Sequence, residues 1–571
     1  RDLHLSLRRQ RQMCIRDSLC KLSPKPVSVT NDSNRKYRRN LDQKPRGVVM
    51  MSDRKPFLVA GTTFNRIEAY NRVTRVGRSS LGGVARVHPG FRAKSPCLLV
   101  GILLLTASRS ALTLILERLV GPGAAGALGR GALATLIVNL IAAVFGLLLH
   151  VALTWFLGNE TEYGIYLVAV SAINLLVIPI IAGWDTVLTR FLSQYGKDGI
   201  NDKSRHLYAE ASRKLLLRCC VALPLLALVL IPILPYGFPR SWAAANAWTY
   251  VVVIACIPPL ALSLLRQGAL KGLHRPAASL LPESIVKPLS VIGVLFLLIS
   301  LGNRPTGTLA LFSHLSASVL AFLLGTLLLP RMLRQGWLRT IFSEHVPRAP
   351  ADSNEGVGDA EENPRNAAWK SLAVSATIMG LAFVVLNRID EFLLGIMDSP
   401  ATAGLYGPAS RYAMFVTFGL SVVNPMLGAL IARHQDDRAE LQRLVKRSAR
   451  LAAIISTPLA MGMMFAPEIP LSLLPPAYMS ATCALRILAA AHWINTLFGS
   501  VGMVLMMTGH HRDLAVILVL TSVLDVILNI LLIPQLGDIG AAVATGTSIV
   551  VWNAAAWVMV RVRLGINTSA V

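Results

Sequence analysis

The chain lacks most of what a soluble enzyme displays. Only 15% of its 571 residues are charged and 6% are aromatic, where soluble domains carry about 25% charge. Seven cysteines, at 14, 20, 97, 219, 220, 256 and 483, fall at no metal-ligand spacing and imply no disulfide framework. There is no G-x-x-x-x-G-K-[ST] run to cradle ATP phosphates, no HExxH helix and no Ser/His/Asp nucleophile set. The eleven histidines are dispersed, and His510-His511 read as solvated loop residues. These absences exclude a nucleotide-driven pump with its own ATP site, a zinc hydrolase and a secreted disulfide scaffold. No enzymatic activity, catalytic residue, metal or cofactor is expected.

What is abundant is apolar sequence. Hydrophobic residues make up 54% of the chain, and mean hydropathy is +0.55. Both values point to a membrane. The net charge of +26 fits this less easily, until its distribution is considered. Residues 1–95 hold 22 Lys/Arg and 6 Asp/Glu, so most of the excess lies in a sixth of the chain. That stretch has turn formers, scattered charge and no sustained periodicity, and reads as a basic, disordered tail. Within it Met13-Cys14-Ile15-Arg16-Asp17-Ser18 resembles a translated sequencing adapter, so the tail need not be native and no function is argued from it. Aromatics are sparse and no nucleic-acid fold signature follows, so a nucleic-acid partner is not expected. Residues 96–130 carry a clean apolar run of about 11 residues, shorter than the ~20 needed to span, and are left unassigned.

From residue 131 onward apolar stretches alternate with short loops. The spans expected are 131–157, 163–188, 214–236, 243–265, 279–301, 306–329, 368–396, 403–431, 451–472, 481–507, 513–535 and 539–561. Loop charge tests the count. With the first span starting in the cytoplasm, inward loops carry Arg213 and Lys214, then Arg266, Lys271 and Arg275, then Arg331, Arg334 and Arg339. The same side later carries Arg433, Arg438, Arg443, Lys446, Arg447, Arg512, Arg561 and Arg563, while outward loops hold only Arg240 and Arg304 as basic residues. This bias places both ends of the core in the cytoplasm, in the inner membrane. Gly164-Ile165-Tyr166 at the second span recurs as Gly404-Leu405-Tyr406 at the eighth, 240 positions later. The pattern implies two parallel six-span repeats: an N-terminal bundle over 131–330, a cytoplasmic linker over 331–367 and a C-terminal bundle over 368–566.

These motifs resemble a known family. Glu162-Tyr163-Gly164-Ile165-Tyr166, Leu281-Pro282-Glu283-Ser284-Ile285-Val286-Lys287-Pro288-Leu289, Asn387-Arg388-Ile389-Asp390 and Met506-Met507-Thr508-Gly509-His510 follow one another as in the polysaccharide-unit (O-antigen, Wzx-type) flippases. Asn529, Ile533-Pro534 and Gly537-Asp538-Ile539-Gly540-Ala541-Ala542 extend the likeness, which covers roughly 131–566. That family belongs to the MOP superfamily, with lipid II flippases and multidrug extruders. The resemblance implies an all-α, MATE-like integral membrane protein of twelve helices in two bundles. It also implies that an isoprenoid-pyrophosphate-linked oligosaccharide is moved from the cytoplasmic to the outer leaflet by alternating access. Membrane lipids and the polysaccharide polymerase or glycosyltransferases are the implied partners.

Ionisable groups inside spans cost about 2.5–3.5 kcal/mol each at a helix centre, so they are usually partnered and functional. Glu283 and Lys287 are spaced i, i+4 and can pair, either as a structural couple or as part of a coupling site. Asp185 and Arg190 lie near the end of span two. Arg388, Asp390 and Glu391 lie in span seven, Arg411 in span eight and Arg486 in span ten, and antiparallel packing can bring Arg388 and Arg411 towards Asp390. Mutual ion pairing is one reading. A cationic wall for pyrophosphate, formed by Lys287, Arg388, Arg411 and Arg486 with Asn387 beside them, is the other. Asp390, Asp525, Glu283 and Asp185 are the candidate ion-coupling residues, with a proton or Na⁺ as the ion. Asp525 has Asn529 one turn away, at a position where the family pattern favours a neutral amide. The competing functions are an ion-coupled small-molecule extruder of the same superfamily, which few aromatics and many intramembrane basic residues disfavour, and a membrane glycosyltransferase, which short outward loops disfavour.

Overall fold

The computed structural model describes residues 124–195, 202–237, 247–330, 333, 362–434 and 437–570. The basic tail, most of 96–130, most of the linker and Arg240 lie outside the described residues. Among those described there are helices and no strands. A helix satisfies every backbone group within its own segment, which hydrocarbon requires.

The first half comprises α1 (Ala124–Leu157), α2 (Glu160–Ile181), α3 (Trp184–Tyr195), α4 (Asp202–Gly237), α5 (Ala247–Gly272), α6 (Pro276–Leu281), a π-helical turn (Pro282–Val286), α7 (Lys287–Ser300) and α8 (Gly307–Leu328). The second comprises α9 (Glu362–Met397), α10 (Pro400–Met414), a 3₁₀ turn (Phe415–Thr417), α11 (Phe418–Arg433), α12 (Arg438–Phe465) and α13 (Glu468–Leu471). It continues with a 3₁₀ turn (Pro476–Ala481), α14 (Thr482–Phe498), α15 (Val501–Met507) and α16 (His511–Leu564). Each expected span falls largely on helices where it is described, the first residues of 243–265 lying outside the described residues. Eight of the helices described are long and apolar enough to cross a membrane, or nine with the bent pair Pro476–Phe498 and Val501–Met507 taken as one.

Capping side chains start the helices. Asn159 Oδ1 accepts from Thr161 N at 2.9 Å, Thr306 Oγ1 from Leu309 N at 3.2 Å and Ser399 Oγ from Thr402 N at 3.1 Å. Asp437 Oδ1 takes the amides of Ala439 and Glu440 at α12. Each meets amides that the first turn leaves without a helical partner.

Several spans are broken where continuous helices are expected. α2 stops at Ile181, because Ala182 and Gly183 take left-handed φ of 47° and 69°. A Cβ on Gly183 would overlap the Ala373 carbonyl of α9, so close packing there requires glycine. Asp185 and Arg190 therefore leave span two for α3, whose Trp184, Val187, Leu188 and Leu192 are buried. The π turn is flanked by Pro282 and Pro288, which interrupt the regular hydrogen-bond ladder. α14 and α15 meet at 42° around Gly499, at φ +74°. Gly537, at φ 58° and ψ −130°, divides α16 into the two expected spans.

The core is continuous across the boundary of the two halves, while the C-terminal half adds separate clusters of its own. One cluster joins Leu153, Tyr166, Ile257 and Leu311 to Tyr406, Leu485 and Ala541. A second, in the C-terminal half, gathers Leu386, Leu427, Val445, Leu505 and Ala556. Large apolar side chains such as Leu228, Leu327, Phe465 and Val562 point outward, as a lipid-facing surface demands. α2 and α10 run in parallel from the same end and touch through their glycines. A Cβ on Gly164 would overlap the Pro400 carbonyl, and one on Gly404 would overlap the carbonyl of Glu160.

Candidate functional site

The intramembrane charges form three separate groups. The first lies where α9 and α10 meet α2. Glu391 of α9 is fully buried and pairs with Arg411 Nη2 of α10 at 2.6 Å. Arg388 Nη1, one turn back on α9, is 3.7 Å from the same carboxylate. Ser171 of α2 donates its hydroxyl to Glu391 Oε2 at 2.8 Å, tying the acid to the first half. Arg388 and Arg411 thus converge on Glu391 and not on Asp390 as expected. The reason is rotational: successive residues on a helix point about 100° apart, so Asp390 and Glu391 face different neighbours. The group carries two guanidinium cations and one carboxylate. Its side chains differ in access, with Arg388 28% exposed, Arg411 11% and Glu391 0%.

Asp390 belongs to the second group. Its Oδ2 accepts from Tyr406 Oη at 2.7 Å and from Thr545 Oγ1 at 3.2 Å. Asp525 and Asn529 lie one turn apart on the first limb of α16, and both are 0% exposed. Asn529 Nδ2 donates to the Asp525 backbone carbonyl at 2.9 Å and to its Oδ1 at 3.3 Å. Asp525 is within hydrogen-bonding reach of Ser548 on the second limb. Asn529 Oδ1 and, farther along that limb, Asn553 Oδ1 are buried without a hydrogen-bond partner among the described residues. Such atoms are costly to leave unmatched, so a buried oxygen-rich cluster of this kind calls for a proton, an ion or water.

The third group is inside the first half. Lys287 Nζ stands 3.5 Å from Glu283 Oε2 across the π turn, the pair expected from their spacing. His314 of α8 shares a 3.0 Å hydrogen bond through Nδ1 with Tyr166 Oη. His150 of α1 similarly meets Tyr163 Oη at 2.7 Å. Both tyrosines of the Glu162–Tyr166 motif are therefore engaged by histidines of flanking helices.

The remaining candidates stand apart. Arg486 pairs at 3.2 Å with Glu468, and both side chains are about half exposed. Asn387 donates to Phe383 O within its own helix at 2.7 Å. Asp185 sits on α3, outside the spans, where partial burial pushes its carboxyl above the ordinary value. Arg266, which reads as a loop residue in the sequence, is 1% exposed within the bundle. Its guanidinium donates to Phe322 O and to Ser263 Oγ and occupies the space a Cβ on Gly325 would take. Among the described residues no cluster of three or more His, Cys, Asp or Glu could hold a metal ion.

Sequence reasoning missed the organising role of Glu391, together with Ser171, Tyr406 and Thr545. The adjacency of Glu391 to Asp390 was the one available signal, and spacing alone cannot choose between neighbours on a helix.

The arrangement can be set beside known proteins. No curated protein matches this chain. Among solved structures it is similar to lipid II flippase MurJ in an inward closed conformation, with TM-score 0.58 and 12% identity over 74% of this chain and 87% of that one. It is also similar to a multidrug resistance MATE family transporter of the MOP superfamily in an inward-facing conformation, with TM-score 0.56 and 12% identity over 76% and 98%. At such identity the likeness establishes the fold alone, an all-helical one. The family model described as "Polysaccharide biosynthesis protein" matches residues 128–435, more than half of the chain. With that match, the chain belongs to the polysaccharide biosynthesis protein family.

Proposed function

We propose that the protein is a flippase that carries an isoprenoid-pyrophosphate-linked oligosaccharide from the cytoplasmic to the outer leaflet. The observation that carries this reading is the Arg388–Glu391–Arg411 group at the junction of the two halves. One guanidinium is committed to the buried carboxylate. The other, Arg388, is farther from it and partly open, so it can meet a phosphate through two parallel N–H donors. Asn387 supplies an amide next to it. The headgroup is taken between the halves, which rock about it, while the isoprenoid tail stays in lipid. Arg486 and Lys287 lie in other surroundings and are not assigned to the pyrophosphate.

Coupling is assigned to Asp390 and Asp525. Their neighbours are hydroxyls, amides and a phenol, an oxygen-rich set suited to a proton or a hard monovalent cation such as Na⁺. The Lys/Arg asymmetry of the loops supports a cytoplasmic position for both ends of the core, in the inner membrane. The bundles are assigned to 131–330 and 368–566, joined by the hydrophilic linker. The polymerase or glycosyltransferases of the same pathway are the expected partners.

The test is a leaflet assay on the reconstituted protein with a lipid-linked oligosaccharide. Arg388→Gln, which leaves the Arg411–Glu391 pair intact, is expected to slow movement at least tenfold without loss of fold. Unchanged movement removes Arg388 from the site. Resistance to cationic dyes on expression, with no movement of lipid-linked glycan, overturns the reading in favour of a small-molecule extruder.

A further inference from the structure

The first half holds a half-open cavity of about 250 Å³ among α1, α2, α5, the π turn, α7 and α8. Its walls are largely apolar, with Leu260, Ile173 and Val291 among them, and its polar lining is Asn174, Gln267, Glu283, Lys287 and His314. What marks this cavity is hydrogen-bonding capacity left unused. Glu283 Oε1 is buried and has no partner among the described residues. Lys287 makes the ion pair at 3.5 Å, but no hydrogen bond within the described protein. Gln267 is 9% exposed, and its amide makes no hydrogen bond among the described residues. His314 uses one ring nitrogen, on Tyr166. An amide, an ammonium, a carboxylate oxygen and an imidazole nitrogen thus offer donors and acceptors to one half-open cavity.

Charge narrows what the space can take. Among the described lining residues the one carboxylate stands against the one ammonium, so the lining itself carries no net charge. The guanidinium of Arg266 rests on Phe322 and Gly325 outside that lining, within range of the Glu283 charge. A purely apolar guest would leave four polar groups unsatisfied. A neutral ring that bears hydroxyls satisfies all of them: one hydroxyl accepts from Lys287 and donates to Glu283 Oε1, and another meets Gln267 or His314, while the ring face lies on the aliphatic wall. The volume lies below the about 300–1,000 Å³ of drug-sized sites, and so suits one ring and not a chain.

We propose that this cavity is a sugar subsite, in which Glu283, Lys287 and Gln267 take the hydroxyls of a single glycosyl unit. It rests on the flippase reading for the origin of the sugar, but its test does not use transport. Purified full-length protein in detergent is titrated with a panel of methyl glycosides (hexose, N-acetylhexosamine and uronic acid), with xylitol as the control polyol. Binding is read by calorimetry and by ligand-induced thermal shift. At least one glycoside is expected to bind with a dissociation constant in the millimolar range, as suits so small a ligand. The double variant Glu283→Gln/Lys287→Met, which neutralises the pair together and leaves no lone buried charge, is expected to weaken it at least tenfold. Gln267→Leu, which changes no charge, is expected to weaken it severalfold, and Arg486→Gln, at a half-exposed residue outside both sites, to leave it unchanged. If no glycoside exceeds xylitol, the cavity holds water and the proposal fails. Equal binding by wild type and by correctly folded pocket variants also overturns it. Failure of the leaflet assay alongside intact glycoside binding would instead overturn the flippase reading alone.

Discussion

Gly164 and Gly404, the glycines of the internal repeat, stand against each other where α2 crosses α10. A side chain on either would run into the other helix's backbone, at the Pro400 carbonyl or the carbonyl of Glu160. The repeat is thus a packing device: the same small residue in each half lets the two halves approach at one end of the bundle. Gly395 and Gly407 extend the contact onto Val168 and Leu167 of α2.

Gly164→Ala and Gly404→Ala are therefore expected to destabilise the protein by about 1–3 kcal/mol each, the usual cost of overpacking. Gly146 of α1 has nothing within 4 Å of the same position. Gly146→Ala should be neutral or stabilising by up to about 1 kcal/mol through helix propensity. Thermal unfolding in detergent, read by intrinsic fluorescence, separates the three.

The Arg411–Glu391 pair is buried on both sides, so removing one partner strands a charge. Glu391→Gln is expected to cost about 3–5 kcal/mol. The double variant Glu391→Gln/Arg411→Met should recover much of that loss while leaving Ser171 and Arg388 in place. A double-mutant cycle on unfolding midpoints measures the coupling, and additive losses would show that the two side chains do not interact.

Arg266 lies on Gly325 of α8, and its ring contact places the guanidinium carbon 5.5 Å from the centroid of Phe322. Gly325→Ala alone is expected to displace the guanidinium and destabilise by about 1–3 kcal/mol. In an Arg266→Met background the same alanine should cost much less, because the space is already vacated. Non-additivity in the cycle is the readout.

Residues Gly565–Ala570 brace the bend in span ten. Gln442 Nε2 donates to Asn567 O at 2.8 Å and receives Asn567 N at 2.6 Å on its Oε1. Trp557 Nε1 reaches Asn567 Oδ1 at 2.9 Å, and Ala570 N bonds Leu497 O at 2.9 Å, two residues before Gly499. Asn567→Ala is expected to cost about 1–3 kcal/mol through the donors it strands. Hydrogen exchange should rise at 497–501, and unchanged protection there would separate the segment from the bend.

Much of the architecture was legible in the residues themselves. Apolar length fixed where each helix lies, since a backbone in hydrocarbon has to satisfy itself locally. The i, i+4 spacing of Glu283 and Lys287 foretold their ion pair for the same local reason. The order of motifs announced the family. None of these inferences needs to know how one helix is turned towards another.

Rotation is what only the tertiary structure decided. Asp390 and Glu391 are adjacent in sequence, yet one faces Tyr406 and Thr545 while the other faces Ser171 and Arg411. Arg266 reads as a loop cation and is instead sealed against a glycine 59 positions away. Gln267 carries no signal in the sequence, and its unused amide becomes meaningful only beside Glu283 and Lys287. Hydrophobic periodicity is weak in helices that are apolar all round, so the face each presents is set by long-range fit among helices and not by local pattern. Composition therefore determined that this chain lives in a membrane as a bundle of helices. The packing of glycines and buried charges decided which side chains meet.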